Sequence, residues 1–190
     1  SFVTFLKQQY ISQGFNNVNI ESNYEVDIQN RATIELEITQ GNRAKISSFS
    51  IAGFEKIPEK TLLSIFSLGE SDFSVINFFT KKDQYTATAL QKGLDNLTNY
   101  YYNLGYLDFR ILNVESNLSQ NNELIDIIVN ISEGNQYKLG ELTFSGELLN
   151  KSQNELIAII PLKQGDIFNR NEIINGIQLI NDEFSDLGYA

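Results

Sequence analysis

The chain contains no cysteine and no histidine. Without cysteine there is no disulfide framework, no thiolate nucleophile and no thiolate zinc site. That is compatible with an oxidising compartment and does not require one. Without histidine, Ser-His-Asp and Cys-His catalytic groupings, HExxH zinc sites and imidazole acid–base chemistry are excluded from these 190 residues. Long hydrophobic runs are also missing. Ile157 to Ile160 is a typical stretch, far short of the roughly 18 apolar residues that a membrane-spanning helix needs. Positive charge is scarce: 14 Lys and Arg against 24 Asp and Glu leave a net charge of −10. That balance opposes a general nucleic-acid binder and direct attraction to an anionic membrane surface. No phosphate-cradling glycine motif is present, and Asp72, Asp83, Asp95 and Asp108 lack the spacing of a calcium loop. Glu35 and Glu37 read as outward neighbours on one strand. The expectation is a non-enzyme, with no cofactor and no metal. Methionine is absent throughout, including at residue 1, and the start does not resemble a signal peptide. The chain therefore reads as a piece of a longer protein whose targeting segment is not included.

What is present repeats. An apolar fraction of 42% with 20% charged residues is that of a globular chain, and 190 residues allow one to two domains. Leu90, Leu94, Leu97, Tyr101 and Leu104 step at helical spacing into Gly105-Tyr106. Ile173, Ile177, Ile180, Phe184 and Leu187 step likewise into Gly188-Tyr189, and Val3, Leu6 and Tyr10 into Gly14-Phe15. Ala32, Ile34, Leu36 and Ile38 alternate with polar residues before Gln40-Gly41, as Ile125, Ile127, Val129 and Ile131 do before Glu133-Gly134. Such alternation marks strands with one buried face. Lys45 to Gly53 and Lys138 to Gly146 follow these strands, 93 positions apart. One supersecondary unit is being reused.

A complete unit runs from about Asn42 to Gly134, in the order β-α-α-β-β. Its first strand is Lys45 to Ile51. Its first helix starts near Pro58, with Leu62 and Ile65 or Phe66 inward; in the next copy Ser152 and Glu155 have capping-box spacing. The second helix spans roughly Thr86 to Leu104 and ends at Gly105. The second strand is about Phe109 to Leu118, and the third Leu124 to Ser132. The fold class is α+β: tandem repeats, each a three-stranded sheet covered on one face by two helices. The repeating Leu, Ile and Val positions are expected in the core. The third strand, with four inward aliphatics, is expected in the middle of the sheet. The middle copy has about ten extra residues between its helices, including Phe73, Val75, Ile76, Phe78 and Phe79. These either thicken the unit's own core or form an apolar docking surface. In the second strand Phe109 and Ile111 share one phase, and Leu112, Val114 and Leu118 the other. A β-bulge explains this, and so does an edge built to receive an added strand.

The run Tyr100-Tyr101-Tyr102-Asn103-Leu104-Gly105-Tyr106-Leu107-Asp108-Phe109, the strand end Val129-Asn130-Ile131-Ser132-Glu133-Gly134, and Gly134 to Leu139 with Ser145-Gly146 carry a resemblance. In tandem β-α-α-β-β units, they resemble the POTRA domains of outer-membrane β-barrel assembly proteins. The resemblance covers the whole chain. Residues 1–41 match the C-terminal half of one domain, 42–135 a complete domain, and 136–190 the N-terminal half of the next. It implies a scaffold on the periplasmic face of the outer membrane, with membrane association only through a barrel outside these residues. The implied partners are unfolded outer-membrane proteins and accessory assembly lipoproteins, with no nucleic acid. Clients would add a strand along Phe109, Arg110, Ile111, Leu112, Val114 and Leu118. A BamB-like lipoprotein would dock on Phe66, Leu68 and Leu118. The repeat alone would equally suit a two-partner secretion transporter that binds one dedicated exported protein. Incomplete units at 1–41 and 136–190 are expected to expose apolar faces, which could associate between chains without physiological meaning.

Overall fold

A computed structural model of the chain describes residues 2–66, 86–146 and 151–186. The element order is α1 (Phe2–Ser12), β1 (Asn19–Val26), β2 (Ala32–Thr39), β3 (Lys45–Ala52), α2 (Glu59–Ile65), α3 (Ala87–Asn103), β4 (Arg110–Leu118), β5 (Leu124–Ser132), α4 (Gln153–Ile159) and α5 (Arg170–Asp186). From β3 to β5 this is the β-α-α-β-β unit. The apolar residues named in the extra segment, Phe73, Val75, Ile76, Phe78 and Phe79, lie outside the described residues, as does Leu68.

Local chemistry sets the element ends. Pro58 is the residue that caps α2, one place before its first turn, and its carbonyl accepts from the Thr61 and Leu62 amides. Thr86 Oγ1 accepts from the Ala89 amide at the start of α3, 3.1 Å away. At α4, Ser152 and Glu155 form the reciprocal capping box that their spacing predicts. Gly14 and Gly105 follow α1 and α3 with φ of 91° and 84°, a backbone region where a Cβ is strained.

The three-stranded sheet has the order β3-β5-β4, so β5 is central and β4 lies at an edge. This matches the expectation from its aliphatic set. Ile125, Ile127, Val129 and Ile131 are all buried, while Leu124, Asp126 and Ser132 are exposed. β3 pairs parallel with β5, with a register shift between Ile46 and Ser48.

The chain divides into two compact units, each built around its own contacts. One comprises Ser1–Asp95 with Leu112–Asn130. Here β1 and β2 form an antiparallel hairpin pairing Tyr24 with Ile34 and Ile20 with Ile38. α2 packs on β3, Phe66 meets Phe49 ring to ring at 4.7 Å, and Gly93 lies against Phe66. The other unit comprises Asn96–Ile111 with Ile131–Ala190. It holds the end of α3 and a core of Leu156, Ile160, Leu162 and Ile180, supported by Leu139, Leu142 and Phe144.

Two expectations need correction. The segment from Lys138 to Gly146 does not form a strand; among the described residues its β contact is an isolated bridge between Lys138 and Ile167. In the complete copy the equivalent β3 takes its ladder from β5. The second correction concerns burial. Ile34 is 68% exposed, whereas Ile127, its counterpart 93 positions on, is 1% exposed. Ile38 and Ile177 are likewise exposed, while their counterparts Ile131 and Leu94 are buried. Periodicity identifies the apolar face correctly, but burial needs the covering elements, and the partial copies supply only some of them. Among the described residues of 1–41 and 136–190, Phe2, Phe5, Ile28, Ile34, Ile174 and Ile177 are exposed.

Candidate functional site

The edge strand β4 runs directly into the short turn Ser119–Glu123, which leads to β5. The Ser119 amide donates to the Leu124 carbonyl, the Asn122 amide to the Ser119 carbonyl, and Asn122 takes a left-handed φ of 56°. The turn makes β4 and β5 a hairpin, and β3 on the far side of β5 leaves β4 outermost. Among the described residues, no backbone hydrogen bond runs from Arg110–Leu118 to anything outside its own sheet. The opposite edge is less open, because the Ile51 amide donates to Glu59 Oε1 at 3.4 Å.

Along β4 only Ile111 and Val114 are half-buried; every other residue is exposed. A regular strand puts residues three apart on opposite faces, so the burial phase changes between Ile111 and Val114. Leu112, in that interval, is 64% exposed, and Leu118 at the far end is exposed too. Arg110 is exposed. Phe109 precedes the strand and is buried, its ring stacked on Tyr101 at 4.1 Å and 9°. Phe66 is 2% exposed and belongs to the contact with Phe49. Of the residues singled out in the sequence, the edge therefore presents Arg110, Leu112 and Leu118 to solvent. On the sheet face, Asn130 Nδ2 donates to Glu115 Oε1 at 2.9 Å, and Ser48 Oγ to Asp126 Oδ1 at 2.6 Å.

The two signature runs meet elsewhere. The Tyr101 hydroxyl donates to Glu133 Oε1 at 2.8 Å, and both side chains are buried. Burial first, and then this hydrogen bond, hold the Tyr101 phenol far above its ordinary value, so it stays neutral. Tyr106 packs edge-on against Tyr101 at 5.6 Å. Gly134 has φ 70° and sits so close to Asp108 that a Cβ would lie 2.5 Å from the Asp108 Cβ. The Tyr137 amide donates to the Gly105 carbonyl at 2.8 Å, and its hydroxyl to Asp108 Oδ2 at 2.6 Å. That carboxylate raises the Tyr137 phenol. The residues of these two runs thus meet in one tight joint.

The POTRA family model, described as a surface antigen variable number repeat, matches residues 44–134 and again 137–190. The chain belongs to the POTRA family. It is similar to the outer membrane protein assembly factor BamA of Neisseria meningitidis serogroup B, 24% identical over 99% of this chain. It is also similar to that of Buchnera aphidicola, 27% identical over 85%. The chain spans about a quarter of these relatives, 23% and 26% of their lengths. Among solved structures, POTRA domains 3–5 of Haemophilus influenzae BamA share the fold. They superpose with a TM-score of 0.59 at 13% identity, over 96% of this chain and 67% of that one.

The POTRA joint occurs twice. The Ala44 amide donates to the Gly14 carbonyl at 3.0 Å, as Tyr137 does to Gly105. Gly41, with φ 72°, lies against Asn17 as Gly134 lies against Asp108. Sequence reasoning found these glycines as punctuation and missed their seats. The signal was available in the paired offsets, since Gly14 to Gly105 and Asn17 to Asp108 share a shift of 91 while Gly41 to Gly134 and Ala44 to Tyr137 share one of 93.

Proposed function

We propose that this chain is the periplasmic scaffold region of an outer-membrane β-barrel assembly factor. It comprises the C-terminal half of one POTRA domain (1–41), a complete one (42–135) and the N-terminal half of the next (136–190). Unfolded outer-membrane proteins are held as an added strand along β4, from Arg110 to Leu118. Accessory lipoproteins dock near Leu118, with Phe66 lying beneath the surface and Leu68 outside the described residues. The role is non-catalytic and uses no cofactor. The observation that carries this reading is the outermost position of β4. An edge strand offers a row of N–H and C=O groups that any extended client can use whatever its sequence. Exposed Leu112 adds weak side-chain selectivity. The names of the curated relatives support the same reading over the secretion-transporter alternative.

Binding is expected to be weak, because one added strand buries little area and must order a flexible peptide. Titration of the isotopically labelled chain with peptides from outer-membrane strands should shift the amides of β4 and leave α4 and α5 unmoved. Shifts confined to the helices, with β4 silent, would sink the proposal. Leu112→Pro removes one backbone donor and should weaken peptide binding more than it lowers stability.

A further inference from the structure

We infer that Asn17 is a latch that holds the β1–β2 hairpin at a fixed angle to the β3-β5-β4 sheet. Its carboxamide is used at both ends. Asn17 Nδ2 donates to the Asn121 carbonyl at 2.9 Å, and Asn17 Oδ1 accepts from Asn122 Nδ2 at 3.1 Å. Both partners lie in the turn joining β4 to β5, more than a hundred residues along the chain. The exchange fixes the amide in one orientation, because the turn offers an acceptor on one side and a donor on the other. Asn122 can face Asn17 while holding φ 56°, a conformation asparagine tolerates better than most residues.

The latch closes over a seat that is already tight. Only Gln40 to Ala44 connect β2 to β3. Gly14, Phe15, Val18 and Ala44 are buried there. The Ala44 amide is spent on the Gly14 carbonyl, and the Lys45 amide on the Glu123 carbonyl at 2.8 Å. The Arg43 guanidinium lies over the Phe15 ring, 4.7 Å from its centre. A Cβ at Gly41 would sit 3.1 Å from that of Asn17, so the two backbones meet with no side chain between them. Backbone contacts of this kind recur at the second joint, but there the residue in the place of Asn17 is Asp108, which accepts from Tyr137 instead. A carboxylate has no donor to give. The first joint therefore depends on an amide where the second depends on an acid.

Distance measurements between two spin labels test this. The chain has no native cysteine, so Glu25→Cys on β1 and Lys92→Cys on α3, both exposed, can be labelled without background. The parent should give one narrow distance distribution. Asn17→Asp keeps the shape but sets a carboxylate oxygen against the Asn121 carbonyl; it should broaden the distribution about twofold or more. Asn122→Gly keeps the left-handed turn and removes the second contact, and should also broaden it. Asn19→Ala, which loses only a local contact to Glu21, should leave it unchanged. Far-UV circular dichroism identifies any variant that fails to fold, and broadening in either folded variant supports the latch. A parent distribution that is already broad, or narrow distributions in every folded Asn17 and Asn122 variant, would overturn it.

Discussion

Tyr101 combines the two tasks of a buried aromatic, filling space and placing a polar group. Its ring is fully buried against Phe109 and Tyr106, and its hydroxyl is a donor to Glu133, itself 5% exposed. Tyr101→Phe keeps the packing and withdraws that donor from a buried carboxylate. It should destabilise the chain by about 1–3 kcal/mol, read from urea unfolding. A change below about 0.3 kcal/mol would show that Glu133 does not depend on the tyrosine. Asp27 works in water instead. Its carboxylate accepts from the Arg31 and Gln29 amides and from Arg31 Nε across the β1–β2 turn. The hydrogen bond from the Arg31 amide is the main cause holding it below the usual aspartate value of 3.8. A carboxylate lowered in the folded state contributes stability that is present above its unfolded value and lost as pH falls through the folded one. The Gln29 and Arg31 amide resonances should therefore move together in an acid titration, with a shared midpoint below 3.8. A midpoint at or above that value would place the turn's anchor elsewhere.

Elements were legible in the sequence where one physical signal dominated. β5 was readable to its ends because every second residue from Ile125 to Ile131 is buried, with more exposed residues between them. α3 was readable because Leu94, Leu97 and Tyr101 recur on one face, all of them buried. Leu97→Ala should accordingly cost roughly 2–5 kcal/mol; a loss under about half a kcal/mol would mean the wrong face was chosen. The capping box of α4 was equally explicit, and Ser152→Ala should cost about 0.5–2 kcal/mol of its stability by exposing the Glu155 amide. Hydrogen–deuterium exchange across α4 would register that loss. β4 was ambiguous for a physical reason: its burial changes phase between Ile111 and Val114, so no single period describes it. The stretch at Lys138 was misread because strand propensity is local and a ladder is not. The edge could be inferred from the central place of β5. The Asn17 contacts could not, since polar residues far apart in sequence leave no periodic trace.

At the scale of the whole molecule, the copies form a natural comparison in which sequence is held similar and context differs. Ile127→Ala should destabilise by about 2–5 kcal/mol. Ile34→Ala, at the equivalent but exposed position, should change stability by less than about 0.5 kcal/mol. Equal losses in chemical denaturation would mean that the face of β2 is covered in solution. The glycine seats carry a last consequence, for how such arrays can be recombined. Each joint is assembled from residues on both sides of the connection between repeats, Gly14, Asn17 and Gly41 with Ala44 in one case, Gly105, Asp108 and Gly134 with Tyr137 in the other. A chimaera spliced at the boundary between repeats would pair one parent's glycine with another parent's seat. A splice between α2 and α3, where the copies already differ in length by about ten residues, would carry every connector across whole. The natural unit of exchange in this chain is thus offset from its unit of folding by half a repeat.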